Sequence, residues 1–234
     1  MKKKLLALLF LVPLATFSQD SDSEKFRKLS VGLIISPDYS CITATSVKYS
    51  NQVKALNALL LPKFRYTAGL SILLHPNNNI AFETGAQYSD KGYRQININN
   101  LPGNAKSEKF IDSYRYLDVP FILNCYFHKH RLKYFVALGA SVNIFLASSN
   151  TYTTVYFDGH TQTESASTTA SSGASHFNYA AIAGFGLTYD LKKRLTLRIE
   201  PTYTRSINTI FDGQQDANYY LYAAGLNIGL YYKF

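Results

Sequence analysis

Residues 219–234 read YYLYAAGLNIGLYYKF. Every second residue from Tyr220 is apolar or aromatic: Tyr220, Tyr222, Ala224, Leu226, Ile228, Leu230, Tyr232, Phe234. The alternate set, from Tyr219 to Lys233, holds Gly225, Gly229, Asn227 and the one charge. Successive side chains of a strand leave on opposite sides, so this stretch is a strand with one apolar face and one mixed face. Aromatic rings stand at both ends of the apolar face and aliphatic groups fill its middle. A strand that crosses a bilayer needs that order, with rings at the two headgroup levels and aliphatic groups in the hydrocarbon.

The same two-residue period recurs in seven earlier runs, near 29–39, 63–74, 80–88, 114–127, 132–146, 177–189 and 195–203. Each is close to the roughly 9–11 residues of a tilted membrane strand. Short connections follow the second, fourth and sixth runs: His75 to Asn78, His128-Lys129-His130-Arg131, and Asp190 to Arg194. Long ones follow the first, third, fifth and seventh: 41–62, 89–113, 147–176 and 204–218. Strict alternation of long and short connections is the pattern of an outer-membrane barrel with short periplasmic turns and long external loops. The expected fold is all-β, an eight-stranded antiparallel up-and-down transmembrane barrel over 29–234. A soluble calyx would carry its apolar faces inward and polar faces outward. Here the charges share one face with the glycines, and the opposite face is an apolar band, so the membrane solution fits.

The mixed faces carry Arg65, Glu83, Asp118, Arg198 and Glu200. An eight-stranded barrel is just wide enough to be filled by side chains, and charges there must pair. Glu83 and Arg198 count to a similar depth on strands that face each other across the ring. They are expected to form a lumen ion pair, with Glu200 or Asp118 nearby and Arg65 in the same structural network. Pro120 and Pro201 lie inside strands and are expected to mark bulges. With no Trp in the chain, the aromatic belt falls to Tyr66, Tyr88, Tyr134, Tyr179, Tyr189, Tyr203, Tyr220, Tyr222, Tyr232 and Phe234. In the external loops, 52–61 is expected to form a short helix lying on the rim or dipping into the mouth. The Ser/Thr-rich 161–175 is expected to be mobile, and Pro102-Gly103-Asn104 to make a turn.

Residues 1–18 have the form of a secretory signal: Lys2-Lys3-Lys4, an apolar run from Leu5 to Leu14, then small residues. Residues 19–28 would follow as a periplasmic segment. The formal charge of +9 points to anionic lipid or lipopolysaccharide rather than nucleic acid, which an exported protein rarely meets. Cys41 and Cys125 fall at opposite ends of the expected barrel, beyond disulfide reach. No spacing of His, Cys or carboxylates implies a cofactor or metal. A Ser/His/acid set using His176 and Glu164 is conceivable in a Ser-rich loop, and such a coincidence is expected by chance.

In the fourth run, Tyr116-Leu117-Asp118-Val119-Pro120-Phe121-Ile122-Leu123 resembles the Y-L-[DE]-[IV]-P-x-x-[IL] signature of the PorT-like outer-membrane β-barrel family of Bacteroidota. The terminal Phe234 resembles the carboxy-terminal signal read by the barrel-insertion machinery. The resemblance implies an outer-membrane location and an eight-stranded barrel. PorT itself is associated with type IX protein secretion and gliding. The expected role is non-enzymatic: structural, adhesive or binding, or an accessory subunit of a secretion or uptake complex. The alternatives are a lipid-modifying enzyme of the lipid A deacylase kind and a narrow channel.

Overall fold

A computed structural model describes residues 29–46, 48–97, 104–127, 131–169, 173–211 and 217–234. The signal segment, the 19–28 segment, the Pro102-Gly103 turn and His128-Lys129-His130 lie outside the described residues. The strands are β1 (Leu29–Thr45), β2 (Leu60–Leu74), β3 (Ile80–Asn97), β4 (Ala105–Phe127), β5 (Leu132–Tyr156), β6 (Thr161–Thr168), β7 (Phe177–Lys192), β8 (Leu195–Ser206) and β9 (Asn218–Lys233). One helix, α1, covers Ser50–Leu59.

Each strand pairs antiparallel with its neighbour, and β9 closes on β1 from Ser30↔Lys233 to Thr45↔Asn218. Eight strands make the ring, because β5 pairs directly with both β4 and β7. β6 stands outside it, paired only with the upper part of β5. The alternation on β9 is as its sequence demands. Leu226, Ile228, Leu230 and Tyr232 are exposed on the outer wall, and Tyr231 is buried inside. Tyr66, Tyr88, Tyr134, Tyr179, Tyr189, Tyr203, Tyr232 and Phe234 are likewise exposed, while Tyr220 and Tyr222 are half-buried. They fall at two levels, with Tyr134, Tyr189, Tyr232 and Phe234 at the short-turn end. Tyr39 and Phe64 join the upper level, edge to face at 5.4 Å.

The strands run well past the apolar runs at the long-loop end. β4 has 23 residues and β5 has 25, more than twice what a bilayer needs. The Ser/Thr-rich segment expected to be mobile is largely β6, in register with β5 from Val155↔Thr161 to Ser148↔Thr168. Both faces of this extension meet water. It therefore needs no apolar alternation, and its threonines still favour extended backbone.

The prolines make no bulge. Pairing of β3 with β4 lapses between Thr84↔Phe121 and Gln87↔Asp118 and resumes in the same register. On the other side Pro120 keeps its place opposite Ser141. Pro201 behaves alike, with a lapse against β7 and an unbroken ladder against β9. A residue in an antiparallel ladder offers its N–H to one neighbour, so each proline forfeits one bond, roughly 1 kcal/mol, without shifting register. Close wall packing falls to glycine: a Cβ on Gly85 would collide with the Leu70 carbonyl oxygen.

Candidate functional site

The inward faces stack into layers along the barrel axis. The lower charged layer centres on Arg198, which is 2% exposed. Its Nη1 lies 3.0 Å from a Glu83 carboxylate oxygen and its Nη2 lies 2.7 Å from Glu200. Nη2 also donates to the Asn124 side-chain oxygen at 2.9 Å, and the Asn124 amide donates back to Glu83 at 3.1 Å. Ser71 gives Glu83 a further hydrogen bond at 2.8 Å. The guanidinium lies 4.1 Å from the centre of the Phe135 ring. A desolvated cation over an aromatic face is stabilised by up to about 2 kcal/mol.

Asp118 is absent from this layer. It sits six residues up β4 from Asn124, roughly 20 Å at the rise of a strand. There it holds Lys91 at 2.7 Å. Asp38 belongs to this upper layer too, its carboxylate bound by Ser36 at 2.6 Å and Thr67 at 2.7 Å. Between the layers lies a cavity of only about 50 Å³. The sequence reading missed Lys91 because it ended the third run at Tyr88. Carrying the alternation on from Glu83 and Gln87 reaches Lys91.

Arg65 joins neither layer. The register between β2 and β3 shifts between Pro62 and Tyr66, and Arg65 pairs with Asp90 at 3.1 Å. Asp90 alternates with the lumen residue Lys91, so its side chain leaves β3 on the outer side. A bulge re-aims side chains, and this one takes Arg65 from the lumen to the wall beside Tyr66 and Tyr88.

Above the upper charged layer the interior is apolar. Ile42, Tyr114, Tyr116, Phe145, Ile210 and Leu221 are buried in one cluster, with Leu56 of α1 packed against it. Asn57 of α1 holds Ala44 through both backbone groups, at 2.8 and 2.9 Å. The rim helix thus caps a greasy plug.

Below Arg198 the barrel opens at the short-turn end into a cavity of about 500 Å³. Lys233 pairs there with Asp190 at 2.6 Å, and Thr196 donates to the same carboxylate oxygen at 2.7 Å. His75, in the turn after β2, lines this mouth. Burial, with Lys133 and Lys233 close by, pushes its pKa down to about 4. Above pH 6.5 the imidazole is neutral in both folded and unfolded chains. As the pH falls toward 4, the unfolded chain takes up the proton first, so the folded state loses up to about 3 kcal/mol relative to it. Urea titrations of the micelle-bound barrel between pH 7 and 4 should show that loss, and His75→Asn should flatten it. An equal pH response in the variant would assign the effect elsewhere.

A catalytic set does not assemble from the residues named for one. Glu164 stands opposite Tyr152 on β5, while the His176 carbonyl accepts from the Phe145 N–H at 2.9 Å. Seven residues of strand, roughly 23 Å, separate those levels. Among the described residues, no group of three His, Cys, Asp or Glu could hold a metal. Cys41 and Cys125 are both free thiols, at opposite ends of the barrel.

No curated protein matches the chain. In shape it is similar to Neisserial surface protein A, at 11% identity, with 88% of this chain and 97% of that one covered and a TM-score of 0.48. It is similar to the outer membrane protein OprG from Pseudomonas aeruginosa at 14% identity, covering 91% and 99%, with a TM-score of 0.41. It is similar also to Ail, the attachment invasion locus protein of Yersinia pestis, at 12% identity, covering 88% and 99%, with a TM-score of 0.35. Residues 42–212, well over half of the chain, match the family described as outer membrane protein beta-barrel domain. The protein therefore belongs to that family and is an outer-membrane β-barrel.

Proposed function

We propose that this barrel is a non-enzymatic, non-conducting surface protein that works through its external face. The observation that supports this is the blocked lumen: the Arg198 layer, the Lys91 layer and the apolar plug leave a cavity of only about 50 Å³ between them. The parts free to meet a partner are the external loops and the β4–β5–β6 extension, where the polar side chains of β6 are exposed almost throughout. A structural, adhesive or binding role fits that surface. So does an accessory place in a secretion or uptake complex. In the same proposal residues 1–18 direct export, the insertion machinery assembles the barrel, and lipopolysaccharide surrounds it.

Planar-bilayer recording of the purified barrel tests the closed lumen. Expected are silent bilayers in molar salt. Discrete conductance steps from the intact protein would overturn the proposal in favour of a narrow channel. For the external face, deleting Thr151–Ser167 should leave the barrel folded but strip components that co-purify from native outer membranes. An unchanged set of components would move the working surface elsewhere.

A further inference from the structure

We propose that the periplasmic mouth of the barrel is a binding site for the oxyanion group of a small solute or lipid headgroup, a phosphate or carboxylate. Every ring strand except β3 contributes to this cavity through an inward side chain or the turn that follows it. Its volume of about 500 Å³ lies within the range of small-ligand sites.

The charge of the lining is one-sided. Lys133, Lys193 and Lys233 line it, with Asp190 as the single carboxylate among the described residues. Asp190 is already held by Lys233 and Thr196. Lys133 is half-buried, and no carboxylate lies within ion-pair distance of it among the described residues. The floor is the buried guanidinium of Arg198. Glu83 and Glu200 do not reach the cavity wall, and Glu83 lines the small cavity on the far side instead. An approaching ligand therefore meets three amines against one carboxylate, and that carboxylate is already paired with Lys233.

Among the described residues, one buried hydroxyl on the cavity wall has no hydrogen-bond partner. Ser30 is 1% exposed, lines the cavity, and its hydroxyl makes no hydrogen bond. A buried polar group is normally satisfied, so an orphaned hydroxyl on the wall of a basic cavity points to an acceptor that enters from outside. Leu73, Tyr126 and Tyr231 supply an apolar flank for whatever carries the anion.

The test uses the full barrel in phosphatidylcholine nanodiscs, titrated with inorganic pyrophosphate and followed by amide chemical shifts. Expected are saturable shifts confined to the mouth, with affinity about tenfold weaker in Lys133→Gln, the loss of one charge-assisted contact. Ser30→Ala, which removes only a hydroxyl, should weaken binding about threefold, a fraction of that loss. Lys109→Gln, on the external extension, should bind as the parent does. Shifts that never saturate, or equal loss in Lys109→Gln, would overturn the site. Adding phosphatidylglycerol to the discs separates the two sources. A headgroup occupant moves the same amides before pyrophosphate is added and competes with it; a free solute leaves the pyrophosphate affinity unchanged.

Discussion

Arg198→Met is expected to destabilise the barrel by about 3–5 kcal/mol, the cost of breaking a buried ion pair from one side. The native guanidinium serves two carboxylates, Glu83 at 3.0 Å and Glu200 at 2.7 Å. Methionine fills much of the same volume against Phe135 but leaves two acids in a dry lumen. Ser71 and Asn124 remain as donors to Glu83, and neither carries charge. Glu200→Gln should cost much less, because the Glu83–Arg198 pair survives it. The asymmetry follows from the count of charges rather than from contact number. The triple variant Glu83→Gln, Arg198→Met, Glu200→Gln should recover most of the loss, since replacing a whole buried ion cluster by neutral groups is often close to neutral. Urea unfolding of the barrel in micelles measures all three, with heat-modifiable gel migration as the check on folding. Arg198→Met within about 1 kcal/mol of the parent would mean that water reaches this layer, because solvated pairs contribute only that much.

How far the sequence could be followed depended on whether a strand's two faces meet different surroundings. Inside the bilayer they do, and Leu226, Ile228 and Leu230 against Gly225, Asn227 and Gly229 declare the strand and its facing at once. Glu83 and Arg198 could be matched across the ring for that reason, since turn positions and alternation fix their depth. Above the bilayer both faces of an extended strand meet water. Nothing in Thr161–Thr168 then marks a face, and β6 was legible only as a polar stretch. Arg65 was misplaced for a different reason. Alternation assumes an unbroken register, and the bulge between Pro62 and Tyr66 has no signature that alternation can see. The prolines misled in the opposite direction. Pro120 and Pro201 suggested bulges, yet an antiparallel strand tolerates a proline by giving up one bond to one neighbour. Charges with partners outside the apolar runs, Lys91 above all, were lost because the runs were ended where hydrophobicity ended rather than where backbone pairing ends.

The second large effect belongs to the outer wall. Ile228 is 38% exposed on the barrel surface and stands opposite Ile35 on β1 and Ile199 on β8. It lies on β9 between Tyr222 at one level and Tyr232 at the other, six residues from the first and four from the second, so it stands near the bilayer centre. Ile228→Arg is expected to cost about 2–4 kcal/mol when the barrel unfolds from phospholipid vesicles, the range for arginine at the midplane. Tyr232→Arg, at the interface, should cost about 0–1 kcal/mol. The gradient between the two positions carries the inference, because it separates depth in hydrocarbon from the generic loss of a large side chain. In a soluble calyx both side chains would be solvent-exposed, and both substitutions would be mild. A flat profile would therefore contradict a hydrocarbon setting for the apolar wall. A steep one would leave the charges of Glu83, Arg198 and Glu200 no place but the axis, which is where the ion pairs stand.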